Sequence, residues 1–366
     1  MSMPRSSPRP LPAVAVALGL LLLLCLPLRA SAVNVTGLYK ARVQVPDQSS
    51  QAREDALGTA LGRVLTRLSG SSAEGLSATV SKIDAYVQQY QYETDSAGQL
   101  ELVADFSPPA VKQLLRKNGQ LVWGDERPAT LVWLAVQSNG QREIVSRSSQ
   151  GDFAQALRRQ ARRHGLPMAL PLMDQQDRQS VAFADIWGGF FDQVMQASKR
   201  YHANAVLIGR LSQASSGWQG RWTLIQNGNR DSWQTAGDNP GAVLKSATGQ
   251  LADLYINRYA SRDQNGGETA AMTVSGVQGL DGYARVLNYL RGLSAVSGVT
   301  VLGVQADRLL LSLALDSSTS HLQQIIGLGR TLQQAQPPGN GAGWSGTVGG
   351  GPSGPQLYYR FVGKSS

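Results

Sequence analysis

The chain of 366 residues holds a single cysteine, Cys25, and that one lies within a run of Leu, Ala and Val from Ala13 to Leu26. Residues beyond it carry no thiol, so disulfides, cysteine nucleophiles and thiolate metal sites are excluded there together, and stability rests on hydrophobic burial. Histidine is almost as scarce. His164, His202 and His321 stand far apart, and none falls in an HxxxH or HExxH spacing, so no metal and no cofactor is expected. After residue 26 no apolar run reaches the roughly 18 residues of a membrane helix, which predicts no transmembrane span in a processed chain.

The apolar run at the amino end reads differently. Arg5 and Arg9 precede it and the small-residue triplet Ala30-Ser31-Ala32 follows, the order of a secretory signal peptide. This predicts cleavage after Ala32, export and a periplasmic location. Leu24 precedes Cys25 where lipoprotein processing wants a small residue, so a lipid anchor is not expected. Loss of Arg5, Arg9 and Arg29 leaves 31 basic residues against 25 acidic ones, a net charge of +6 instead of +9. The excess sits in one place: residues 128–262 carry 15 basic and 9 acidic side chains, while the flanking regions are nearly balanced.

Periodicity divides the processed chain into three regions of an α+β and α/β multidomain protein. In 33–127, an N-terminal α+β domain, Val33, Val35, Ala41, Val43 and Val45 share one parity and predict a strand. Ala56, Leu57, Ala60, Leu61, Val64, Leu65 and Leu68 then recur at helical spacing up to Gly70. A second helix is predicted over Val80 to Tyr90, a strand over Leu100 to Phe106, and a helix begun by Ser107-Pro108. The polar turn Gly124-Asp125-Glu126-Arg127-Pro128 sets the first boundary.

Residues 128–262 alternate strands and helices, which implies a layered α/β domain with a mixed sheet. The strands are expected at Leu131–Val136, Met168–Leu172, Ala205–Ile208 and Trp218–Ile225, and the helices at Phe153–Arg163, Ile186–Tyr201 and from Pro240 to about Tyr259. After the linker Asp263-Gln264-Asn265-Gly266-Gly267, residues 268–363 show the βαββαβ order of a ferredoxin-like domain. Its last helix is expected over Thr319–Leu332, its last strand over Leu357–Phe361, and a Gly/Pro-rich disordered loop at 337–355 between them.

The sharpest charge feature is the set Arg158, Arg159, Arg162 and Arg163. At helical spacing the four fall within an arc of roughly 140°, opposite Phe153, Leu157 and Ala161. Such a face is either solvated or a dock for anionic lipid head groups, a polyanion or an acidic protein, because guanidinium groups clasp phosphate and carboxylate in pairs. Nucleic acid is not expected as a partner of an exported chain. Trp187, Phe190, Phe191, Val194 and Met195 make an aromatic stripe suited to core packing. Trp218, Trp222 and Trp233 offer indole faces for sugars or for sheet packing.

Catalytic patterns are thin. Ser77 and Ser294 lack the final glycine of a nucleophile elbow, and Gly363-Lys364-Ser365 lacks the first glycine and the helix of a phosphate-binding loop. Asp174 and Asp177 suit a loop as well as an acid–base pair. No catalytic, cofactor or metal residue is therefore assigned.

Gly37-Leu38-Tyr39, the helix Gln51 to Gly70, and Leu102 through Phe106-Ser107-Pro108 together resemble an exported proteobacterial family known only as a domain of unknown function, with a likeness spanning most of the processed chain. The stretch Ala203-Asn204-Ala205-Val206-Leu207-Ile208-Gly209-Arg210-Leu211, ahead of a Trp-containing strand, is similar to the α/β domains of the TolB amino-terminal domain, the curli secretion lipoprotein and the lipoprotein activators of peptidoglycan synthases. That resemblance implies protein binding, without the lipid-bearing cysteine of the two lipoprotein groups. The function expected is a non-enzymatic periplasmic adaptor or accessory factor in envelope assembly or maintenance, with an envelope protein as its partner and peripheral membrane contact open to it. A hydrolase assembled from distant residues and a peptide- or carbohydrate-binding module are the alternatives.

Overall fold

The computed structural model describes residues 33–73, 75–260, 268–337 and 355–362. The expected leader and cleavage site at Ala32, the expected linker 263–267, most of the Gly/Pro-rich loop and Gly363-Lys364-Ser365 lie outside the described residues. Among those residues the chain is mixed α+β, with sheets of three, six and five strands and one further two-stranded pairing.

The amino-terminal elements are β1 (Val33–Asn34), β2 (Lys40–Gln44), α1 (Ser50–Ser69), β3 (Val87–Thr94), β4 (Leu100–Phe106) and α2 (Pro108–Lys117). The Ser49 side chain accepts the Ala52 amide and starts α1, and the buried stripe Leu57, Leu61, Val64, Leu65 and Leu68 packs it on the sheet β2-β4-β3. Each of these leucines is fully buried, so truncation to Ala costs about 2–5 kcal/mol. Two expectations fail here. The first strand is interrupted at Thr36–Tyr39, where Gly37 turns the chain with φ +73°. The helix over Val80–Tyr90 does not form; short 3-10 turns give way to β3, in which Val87, Tyr90, Tyr92 and Thr94 satisfy their backbone against β4. Valine, tyrosine and threonine favour a pleated strand, and the partner edge was not visible from local sequence.

The middle elements are β5 (Glu126–Arg127), β6 (Thr130–Ser138), β7 (Gln141–Val145), α3 (Asp152–His164), β8 (Met168–Ala169), α4 (Gln175–Ser180), α5 (Phe183–Gly188), α6 (Phe191–Ser198), β9 (Ala205–Ala214), β10 (Gly217–Gln226), β11 (Asn229–Gly237) and α7 (Pro240–Tyr259). The sheet runs β11-β10-β9-β6-β7, with β8 beside β6 and with β6 and β9 parallel. Along β6, Val132, Leu134 and Val136 face α3 and α7, while Leu131, Trp133 and Ala135 face α5 and α6. That two-sided burial is why the strand is apolar at every position.

The helix expected over Ile186–Tyr201 is broken in two, because Gly189 takes φ +82° and ends α5. The break leaves Phe190 61% exposed, so one member of the aromatic stripe is not core. The hairpin strand β11 was missed, although its turn, Asn227-Gly228 with both φ positive, is a strong hairpin signal.

The carboxy-terminal elements are β12 (Thr269–Ser275), α8 (Gly279–Gly292), β13 (Val296–Gln305), β14 (Arg308–Leu315), α9 (Thr319–Leu328), β15 (Leu332–Gln334) and β16 (Gln356–Phe361). The sheet order is β13-β14-β12-β16-β15. In a βαββαβ unit the second crossover helix should lead from β14 to a parallel strand next to β12, hence antiparallel to it. Here α9 stops at Leu328, Leu332 turns into the core as part of β15, and β16 pairs antiparallel to β15 and parallel to β12. The last strand thus runs opposite to the ferredoxin-like expectation.

The three regions are joined by buried polar contacts. Arg127 is fully buried and, among the described residues, forms no ion pair with a carboxylate. Its Nε donates to the Gly124 carbonyl, Nη1 to those of His164 and Gly165, and Nη2 to those of Arg67 and Trp123, while the guanidinium lies 3.9 Å over the Trp123 ring. The carbonyl ends of α1 and α3 both converge on this cation, where helix dipoles favour positive charge. Gly165 is required beside it: φ is +61°, and a Cβ would stand 2.7 Å from Arg127 Nη1. On the other side Glu126 accepts the Ser294 amide at 2.8 Å and hydroxyl at 2.7 Å, and Asp253 accepts the Ser71 amide and hydroxyl.

Replacing Arg127 by Met should destabilise the protein by roughly 3–5 kcal/mol in urea unfolding, because five buried carbonyls lose their donor. Lys at this position, with one compact ammonium, should recover only a small part. A loss below about 1 kcal/mol for the Met variant would contradict the role assigned to this side chain.

Candidate functional site

α3 divides its four arginines between two environments. Arg158 turns back on its own loop, donating to the Ser149 and Arg147 carbonyls at 3.2 and 2.7 Å, and so leaves the surface that sequence assigned to it. Arg159, Arg162 and Arg163 are exposed, make no ion pair with any described residue, and line a groove of about 810 Å³. This groove runs between α3 and the edge strand β2 with α1 behind it.

The opposite wall adds cations that sequence reasoning missed: Lys40 and Arg42 on β2, and Arg63 and Arg67 on α1. β2 is an edge strand, and the carbonyls of residues 40 and 42 point away from β4. Arg67 fills the first, donating also to Gly37 and Leu38, and Arg63 fills the second. Arg67 Nε further reaches the Arg163 carbonyl at 3.4 Å, which ties the two walls together. The i, i+4 spacing of Arg63 and Arg67 puts both on one side of α1, yet nothing local in sequence shows that β2 leaves carbonyls open there.

Charge compensation in the groove is uneven. Lys40 pairs with Asp105 at 3.3 Å, and Arg42 pairs with Glu93 and, at 3.7 Å, with Glu101. Contact with Glu93 raises the pKa of Arg42. Among the described residues no acid forms an ion pair with Arg159, Arg162 or Arg163 on the α3 side. Partial burial lowers the pKa of Arg63, the nearby charge of Arg163 lowers it further, and Glu101, which also lines the groove, opposes both. Burial, and then the Arg63 charge, lower that of Arg67. Leu38, Ala41, Ala161 and Leu166 give the floor an apolar character.

Other residues singled out by sequence serve structure. Asp174 caps α4 and pairs with Arg200, which holds its carboxyl far below the usual carboxylate range. Asp177 is fully buried and accepts from the Met173 amide, Arg200 and the Tyr201 hydroxyl, so its lone pairs are committed. Ser294 lines a cleft of about 30 Å³ with Asp316 and His321, but its hydroxyl donates to Glu126, and among the described residues no hydrogen bond joins the His321 ring to either. Ser77 sits in a 3-10 turn. Trp222 is buried with Nε1 donating to Thr235, Trp218 packs on Phe153, and Trp233 is half-buried, so none offers an exposed indole face. Among the described residues no three His, Asp or Glu side chains form a metal-binding group, and no helix is long and apolar enough to cross a membrane.

Residues 32–124 match the model of a family described as a domain of unknown function (DUF8605). No curated protein and no solved structure matches the chain. The match is confined to the first region, short of the span that the resemblance implied, and it supplies the β2 and α1 wall of the groove but not α3.

His164, the last residue of α3, is 8% exposed, its Nδ1 has no partner, and burial, followed by the Arg163 charge, lowers its pKa from 6.5 to about 4. The unfolded chain therefore binds the extra proton first, and stability should fall as pH drops from about 6.5 towards 4, with no further loss from this group below that. From pH 7 to pH 5 the loss should be about 2 kcal/mol by urea unfolding. His164→Gln should flatten that segment of the profile; an unchanged slope would remove the assignment.

Proposed function

We propose that this chain is an exported, non-enzymatic binding protein of the periplasm, an adaptor that docks an anionic partner in the groove between α3 and β2. The observation that carries this reading is the row Arg159, Arg162 and Arg163, three exposed guanidinium groups without an acid in contact, facing Arg63 across a partly apolar floor. Unpaired arginines at the centre of an interface are among the side chains that contribute most to binding. The wall is held ready, because Arg63 and Arg67 are tied to strand carbonyls and lose little freedom on binding.

Export is supported by the leader pattern at Met1–Ala32. We read the carboxy-terminal sheet as a variant of the ferredoxin-like plan, in which β15 keeps the direction of the fourth strand and β16 is inserted, parallel to β12, between the two. The resemblance of the sequence stretch Ala203–Leu211 to the TolB amino-terminal domain and its lipoprotein counterparts favours an envelope protein as partner, in a proteobacterial setting. A hydrolase is the weaker reading, since the hydroxyl of Ser294 and the carboxylate of Asp177 are both engaged in internal contacts. Strand addition at β2 is disfavoured by the arginines on its outward carbonyls.

The triple variant Arg159→Glu, Arg162→Glu and Arg163→Glu should keep its circular dichroism and lose no more than about 1 kcal/mol of stability, as exposed substitutions do. It should lose the partners recovered by in vivo crosslinking of the exported protein, whereas Arg158→Gln should keep them. The mature protein should begin at Val33 by amino-terminal sequencing. An identical set of crosslinked partners for the triple variant would refute the docking reading.

A further inference from the structure

Four guanidinium groups line the α3 end of the groove; Glu101 lies near Arg63, and among the described residues no acid forms an ion pair with Arg159, Arg162 or Arg163. Arg159 and Arg163 are one turn apart on α3 and Arg162 lies beside them, so the three share a ridge. Arg63 approaches from α1, close enough that the Arg163 charge lowers its pKa. The same groove shows what balanced cations look like, since Lys40 and Arg42 have Asp105, Glu93 and Glu101. Ion pairing thus thins towards α3, where Arg159, Arg162 and Arg163 have no acid in contact among the described residues.

We infer that this end is a site for a phosphomonoester group of a soluble molecule, held between Arg63 on one wall and Arg159 and Arg163 on the other; the inference rests on the docking reading above. A carboxylate carries one charge, and successive carboxylates on one side of an extended peptide stand about 7 Å apart, so they spread along a groove and leave a compact cluster unbalanced. A phosphomonoester concentrates about −1.5 to −2 charges and three acceptor oxygens on one centre, which suits several guanidinium forks converging from two walls. All four cations are arginine, the side chain whose planar fork matches phosphate oxygens. The Arg63 side chain is held by donating to the Arg42 carbonyl, and the backbone of Arg163 is held by Arg67.

A membrane surface fits less well. Among the described residues the exposed large apolar side chains are Tyr90, Leu172, Phe190, Leu280, Val304 and Val362, and none of them lines the groove beside the arginines to enter a bilayer.

Calorimetric titration of the full-length protein with glycerol 3-phosphate at low ionic strength tests this. Binding should weaken at least about tenfold in Arg63→Gln and in Arg163→Gln, stay unchanged in Arg158→Gln, and exceed that of the dicarboxylate glutarate by at least about tenfold. Affinity should also fall as pH is lowered through about 6, where the phosphomonoester gains a proton while the arginines remain charged. Equal affinity for glutarate, or no effect of either substitution, overturns the inference. So does binding to vesicles of anionic phospholipid without binding of glycerol 3-phosphate. Binding of a polyglutamate peptide alone overturns the phosphate site and leaves the docking reading standing; if no probe binds and the triple charge reversal keeps every crosslinked partner, both fall.

Discussion

A guanidinium group taken wholly out of water, with carbonyl oxygens and an indole face as its only company, is the constraint around which the other parts are arranged. Burial lowers the pKa of Arg127 to about 9, which measures how poorly solvated the charge is, yet all five of its N–H donors are used. Removing water from an ion costs several kcal/mol, and dipoles at two helix ends offset that cost only where the geometry is fixed. Fixed geometry here means that α1, α3 and the β5 turn must occupy one mutual arrangement.

The groove is a by-product of that arrangement. α3 is drawn to Arg127 by its last carbonyls, Arg67 braces the same helix end from the other side, and the exposed arginines of α3 are thereby set facing α1. A helix that presented Arg159, Arg162 and Arg163 to open solvent would carry an ordinary polar face. Brought within reach of Arg63, the same residues make a concentrated positive potential with low-dielectric walls, which is the condition under which clefts focus an electric field.

Sequence reading succeeded where one periodic signal decided the outcome. The stripe of α1, the alternation of β4, the two-sided apolar run at Ala205–Ile208 and the span of α7 from Pro240 to Tyr259 all appear where their patterns place them. It failed where a distant partner decided. β3 became a strand because β4 offered an edge, and Leu332 left the expected helix because a sheet position was open. The arginine helix was visible, but its division was not: Arg158 differs from Arg159 only in which loop lies beneath it. Arg127 was invisible, since an arginine in a polar turn announces a surface loop, and only the meeting of two helix ends makes its burial tolerable.

The contact between Arg127 and the end of α3 also orders events in time. The chain is made from its amino end, so β2, α1 and Arg127 exist before residues 164 and 165 that complete the cage. At ordinary synthesis rates of roughly 5–20 residues per second the interval is a few seconds. Throughout it the indole of Trp123 is uncovered and the outward edge of β2 lacks the helix that later walls it in, so the newborn first region is a sticky half-structure whose closure waits on its successor.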